Sequence, residues 1–129
     1  MENTTLILNF AHPLTDAQQA EIATHLGHAP QIQDIPLHIE RHRPLADLAQ
    51  EIVDSIGLSS EAWQTRSLFI NPPGLAPLAL ALIAELHGRC GYFLPILHIR
   101  PVEGALPPRY EVAELVNLNT LREAARTRR

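Results

Sequence analysis

The chain has 129 residues, 46% hydrophobic and 19% charged, a composition that fits one folded domain (1–129) and excludes a disordered chain. A net charge of −4 argues against duplex nucleic acid as a partner, and the lone cysteine, Cys90, rules out an intrachain disulfide and makes a reduced compartment the default. The start, Met-Glu-Asn-Thr-Thr, has no basic n-region and no long apolar run, so neither signal peptide nor membrane anchor is expected, and the expected location is cytoplasmic.

Thr5 to Phe10 is an apolar, β-branched run that reads as a strand buried on both faces, as parallel strands are. Thr15 with Gln18 three residues later makes a capping box, which predicts a helix from about Asp16 to Leu26, ended by Gly27. Residues 31 to 40 place Ile35, Leu37 and Ile39 on one side of a second strand. Pro36 demotes it to an edge or bulged strand. Leu45, Leu48, Ala49, Ile52, Val53 and Ile56 then recur at helical spacing, predicting an amphipathic helix stopped by Gly57, and Ser59 caps a short extra turn carrying Trp63.

Residues 67 to 88 are the centre of the chain. Leu68, Phe69 and Ile70 form a buried strand ended by Asn71, because Pro72 and Pro73 lack the N–H groups that a ladder needs. Gly74 eases the turn, and Pro77 is tolerated in the first turn of a helix. From Leu78 to Ala84 the helix is apolar all round, so it is expected in the core or at a subunit interface. Its N-terminus opens at the Asn71 to Leu75 turn, a place that suits phosphate, although a plain βα connection has the same pattern.

Tyr92 to Arg100 and Tyr110 to Leu118 read as two further strands. Only Pro101 to Arg109 joins them, too short for a parallel crossover, so they should pair antiparallel. A last helix is expected from Thr120, with Arg126, Arg128 and Arg129 at its negative end. The predicted class is thus α/β, three-layered, with a mostly parallel sheet and an antiparallel C-terminal hairpin.

Ligands of such sheets gather beyond the carboxyl ends of the strands. Asn9, His12, Arg41, Arg43 and the Asn71 to Gly74 turn all leave strands there, and Arg100 and Arg109 should return to the same rim, giving an anion site. Residues 1 to 63 hold nine acids against two arginines, a balance of −7, and the rest holds eight arginines against five acids, +3. The chain has no lysine; compositional bias is the simpler account, yet arginines would suit bidentate contact with phosphate. His25 with His28 and His38 with His42 lack the acidic or cysteine partners of a zinc site, so no metal and no cofactor are expected. Cys90 reads as a buried structural thiol. No P-loop, dinucleotide fingerprint or internal repeat is present.

Asn-Phe-Ala-His-Pro-Leu-Thr at 9 to 15, Phe-Ile-Asn-Pro-Pro-Gly-Leu-Ala-Pro at 69 to 77, Glu-Leu-His-Gly at 85 to 88 and Pro-Pro-Arg-Tyr-Glu-Val-Ala-Glu-Leu at 107 to 115 resemble the small CRISPR-associated Csx family fifteen, found beside type III systems. The resemblance implies a Rossmann-like (CARF-like) fold related to sensors of cyclic oligoadenylates. It also implies cyclic tetra-adenylate as the ligand, bound by a homodimer or higher homo-oligomer. On that reading the arginines and the helix N-terminus face phosphates, Asn9, Phe10, Asn71 and Leu75 border the adenines, and Pro72 and Pro73 belong to the same ligand-binding turn. Three functions are open: a sponge that sequesters the messenger, a metal-independent ring nuclease that cuts it, or an interaction subunit with no nucleotide site. The sponge is favoured, because only His12 among the histidines can be placed at the rim as a base, and His98 is expected to be covered by a helix.

Overall fold

Alternation along one short strand sets both faces of the sheet. In the computed structural model, which describes residues 4–129, β1 (Leu6–Asn9) is buried throughout: Leu6 and Leu8 enter one core cluster and Ile7 another. The first three residues, part of the stretch read for a leader, lie outside the described residues. β2 (Gln31–Asp34), β3 (Leu68–Asn71), β4 (Ile96–Pro101) and β5 (Tyr110–Val116) complete a sheet of order β2-β1-β3-β4-β5. The first four strands are parallel and β5 is antiparallel to β4, the Rossmann-like α/β arrangement expected from the sequence.

Helix α1 (Asp16–Leu26) covers the Ile7 face, where Leu14 and Ile22 meet Leu97 and Val112. Its capping box is formed as expected, Thr15 Oγ1 accepting from the Gln18 N–H at 3.1 Å and Gln18 Oε1 from the Thr15 N–H at 3.0 Å. Helices α2 (Leu45–Ile56), α3 (Ser60–Thr65) and α4 (Ala76–Cys90) cover the other face over Leu6, Leu8, Leu68 and Ile70. Three layers result. Helix α5 (Leu118–Arg126) follows β5 and buries none of its residues.

Several boundaries differ from the sequence reading, each for a local reason. β2 lies at the sheet edge as Pro36 demands, but it ends at Asp34 and not near residue 40. The Ile35 N–H gives the last bond to β1, to Asn9 O at 2.9 Å, and Pro36 has no N–H to continue. β4 starts at Ile96 and not at Tyr92, because the Phe93 peptide is engaged by a side chain: Phe93 N–H donates to Asn119 Oδ1 at 3.0 Å and Asn119 Nδ2 donates to Phe93 O at 2.6 Å. β5 stops at Val116, since Asn117 becomes the N-cap of α5, its Oδ1 accepting from the Thr120 N–H at 3.1 Å, so the last helix begins at Leu118.

Helix α4 is not buried all round within one chain. Leu78, Leu82, Leu86 and Cys90 face the core, while Leu80 on the opposite face is 72% exposed. The exposed face carries Ala76, Pro77, Leu80, Ala84 and Gly88, with no charged side chain.

Candidate functional site: a cleft at the carboxyl edge of the sheet

After β1 the chain turns towards β2, and after β3 it turns towards β4. The order of the sheet therefore reverses between β1 and β3, and the crevice at such a switch point is where open α/β sheets take ligands. A cleft of about 1160 Å³ opens there. Its floor is the segment from Phe10 to Thr15 after β1, and one lip is the Asn71 to Gly74 turn after β3. Leu37 and Ile39, freed from β2 by Pro36, line one side; Ile96 to Ile99 of β4 and Tyr110 of β5 line the other.

The height of that second wall follows from register. The one β3–β4 pairing matches Ile70 with Ile96, so β4 begins where β3 is ending and the rest of the hairpin stands beyond the rim. Side chains of Leu97 and Ile99 pack towards α1, and His98 lies on the opposite face of β4. Glu114 is directly across from His98, and their side chains bond at 2.8 Å through Nδ1 and Oε2. The register slips by one residue just beyond, between His98 and Ile99.

Asn9 beneath the floor and Asn71 at the lip are not equally free. Asn9 is 1% exposed, and all its capacity is used: Nδ2 donates to His12 O at 3.0 Å and to Asp34 Oδ1 at 2.8 Å, while Oδ1 accepts from the Ala11 N–H at 3.1 Å and from Asn71 Nδ2 at 2.9 Å. It shapes the loop and ties β1 to β2 and β3. Asn71 lines the cleft and spends its Nδ2 on Asn9; its carbonyl accepts from the Phe10 N–H at 3.0 Å. Phe10 lines the cleft from a nearly buried position. Gly74 stands open at the lip, where an added Cβ would meet nothing within 4 Å.

Of the residues expected at the rim, the cleft gathers Phe10, His12, Asn71, Pro72, Pro73 and Gly74. Leu75, the N-cap of α4, is 45% exposed just outside, and Asn9 lies beneath the floor. None of the four arginines lines the cleft. Arg43 forks onto Glu51 of α2, Arg100 Nε bonds Glu111 at 3.1 Å, and Arg41 and Arg109 are exposed elsewhere. Hairpin geometry keeps Arg100 and Arg109 away: the strands overshoot the rim and carry their ends past it.

His98 is one of the lining residues the sequence reading missed. It was expected beneath a helix, but its side chain is 47% exposed because β4 overshoots the layer that α4 covers. Among the cleft-lining residues there is no arginine, aspartate or glutamate, so His12 and His98 are the side chains that can bring positive charge to an otherwise mainly apolar surface.

A second hollow, about 460 Å³, lies at the far end of α4 beside Trp63, Arg89 and Cys90. Arg89 is held there by Asp54 at 2.8 Å and Glu85 at 2.9 Å, and its pKa is raised mainly by the bond to Asp54. Burial pushes the Cys90 thiol up to about 11, leaving a poor nucleophile at neutral pH. Among the described residues no group of three or more His, Cys, Asp or Glu side chains could hold a metal ion, and no helix is long and apolar enough to cross a membrane. Compared with family models, with curated proteins and with solved structures, the chain finds no match.

Proposed function

We propose that the protein binds a cyclic oligoadenylate, cyclic tetra-adenylate foremost, in the switch-point cleft and withholds it from other receptors, dampening their activation. The observation that carries this reading is the cleft itself: a space of about 1160 Å³, large for a small-molecule site, at the one place where this sheet order gathers nucleotides. Its mainly apolar lining of Phe10, Leu37, Ile39 and Tyr110 suits adenine faces, and the resemblance of the Asn-Pro-Pro-Gly and Pro-Pro-Arg-Tyr-Glu segments to a type III CRISPR-associated family supplies the cyclic ligand. The uncharged outer face of α4 supports association of two copies as the binding unit. Calorimetry with a panel of cyclic oligoadenylates tests the proposal: saturable binding of the tetra-adenylate is expected, and absence of binding by every ring refutes it.

Cleavage of the ring is the second reading, and one observation favours it. Two imidazoles, His12 and His98, line the same cleft, and acid–base cleavage of an RNA linkage can use such a pair. Chromatography after incubation separates the readings. Intact ligand recovered from the complex supports sequestration, and linear products over many turnovers establish a ring nuclease.

A further inference from the structure

The cleft poses an electrostatic question: a phosphate-bearing ligand needs a counter-charge, yet every rim arginine stands outside. We propose that His98 is the phosphate-contacting residue of the cleft, donating from Nε2 to a nucleotide phosphate while Glu114 holds the ring through Nδ1. This deepens the reading of the cleft as a nucleotide site and rests on it.

Three observations carry it. First, Nδ1 lies 2.8 Å from Glu114 Oε2, which orients the ring and favours the proton on Nδ1, while no described contact engages Nε2. Second, the pair is exposed, at 47% and 59%, so it adds little to stability as an ion pair, and a structural reason for it is weak. Third, no other group can do the same work from this wall. The next pair along the hairpin, Arg100 with Glu111, is closed on itself, Tyr110 brings no positive charge, and His12 belongs to the floor, in the loop after β1. With Nδ1–H given to the carboxylate, Nε2 donates only from the doubly protonated ring, the form that a bound phosphate itself favours, and the ring is already oriented for it.

The test follows the imidazole ¹⁵N resonances of His98 during titration with adenosine 5′-monophosphate and, separately, with cyclic tetra-adenylate. Both ligands should shift them, and His98→Ala should weaken each affinity tenfold or more, the scale of a lost charged hydrogen bond. His98→Gln, which keeps an amide donor, should recover part of the loss. Glu114→Gln should alter the His98 ring signals and weaken binding without moving the thermal midpoint. Adenosine monophosphate bound through His98 with no binding of the ring would uphold this inference and refute the cyclic ligand. Tight ring binding that ignores both His98 and its replacement would overturn the inference and leave the cyclic ligand standing. If neither ligand binds, both fall.

Discussion

Removing the Asn9 side chain should be a costly polar change at the cleft. Asn9→Ala leaves the His12 carbonyl, the Ala11 N–H and Asn71 Nδ2 without their partner, and takes one donor from the Asp34 carboxylate. Three of these bonds are ordinary, worth about 1 kcal/mol each, and the one to a carboxylate is worth about 2 kcal/mol. Water can reach part of the site, because only the Asn9–Asn71 bond is fully buried, so the loss should be about 3–5 kcal/mol. Against a domain stability of about 5–15 kcal/mol this is a large share, readable as a shift of the urea midpoint. Asn9→Asp is the sharper variant. It keeps the oxygen that accepts from Ala11 and Asn71 but places a second carboxylate where Nδ2 now lies 2.8 Å from Asp34. Two carboxylates this close share a proton in the folded state, so the apparent pKa of the pair is raised above its unfolded value. Stability should then be restored at acid pH and lost as pH rises through the raised value. A loss under 1 kcal/mol for Asn9→Ala, or an Asn9→Asp variant equally stable at pH 4 and pH 7, would refute the claim that this amide organises the rim.

Gly74→Trp should fold normally, since an added Cβ there meets nothing within 4 Å, yet weaken cyclic tetra-adenylate at least tenfold by crowding the lip; equal binding in calorimetry would move the ligand off this turn. Arg100→Ala and Arg109→Ala should each change affinity by less than about 0.5 kcal/mol if the ligand stays within the cleft, whereas a drop of about 1.5–3 kcal/mol would show that the ligand reaches past the hairpin. Cys90 should resist iodoacetamide at pH 8 in the folded protein and react readily in urea. With its pKa raised to about 11, folding is favoured by the neutral thiol, and that contribution fades as pH climbs from 9.0 towards 11. Glu21→Ala should cost about 1–2 kcal/mol and speed hydrogen exchange at Val112, whose N–H it accepts at 2.9 Å.

How far the sequence could be read depended on whether a signal was local. The Thr15 and Gln18 capping box, the spacing from Leu45 to Ile56 and the proline stop after Asn71 each involve neighbours in the chain, and each was legible. What escaped was set across the sheet. Tyr92 to Pro95 has strand-like composition, and only a distant amide, Asn119, withdraws Phe93 from the ladder. Alternation places His98 and Glu114 on definite faces of their own strands, but their pairing depends on hairpin register, which slips within the hairpin and cannot be counted from the turn. Apolar content all round α4 was read as burial, although composition alone cannot say whether a neighbour belongs to the same chain.

One offset links these differences to the site. Because β4 starts late, it contributes only Ile96 to the pairing with β3 and spends its remaining residues beyond the rim. A strand in that position would expose an unsupported edge, and β5 supplies the ladder on one side while α1 secures β5 in turn. Gln18 Nε2 donates to Tyr110 O at 3.2 Å, Glu21 accepts from the Val112 N–H, and His25 Nε2 lies 3.2 Å from Val112 O. These three residues recur at helical spacing on one stripe of α1 and engage Tyr110 O and both backbone groups of Val112 on an edge strand, which stiffens the hairpin. The cleft wall that carries His98 is therefore as firm as the helix behind it. A sheet whose fourth strand ran in full register with β3 would have placed His98 in the layer under α4, where the sequence reading expected it, and would have left the switch point without its second wall.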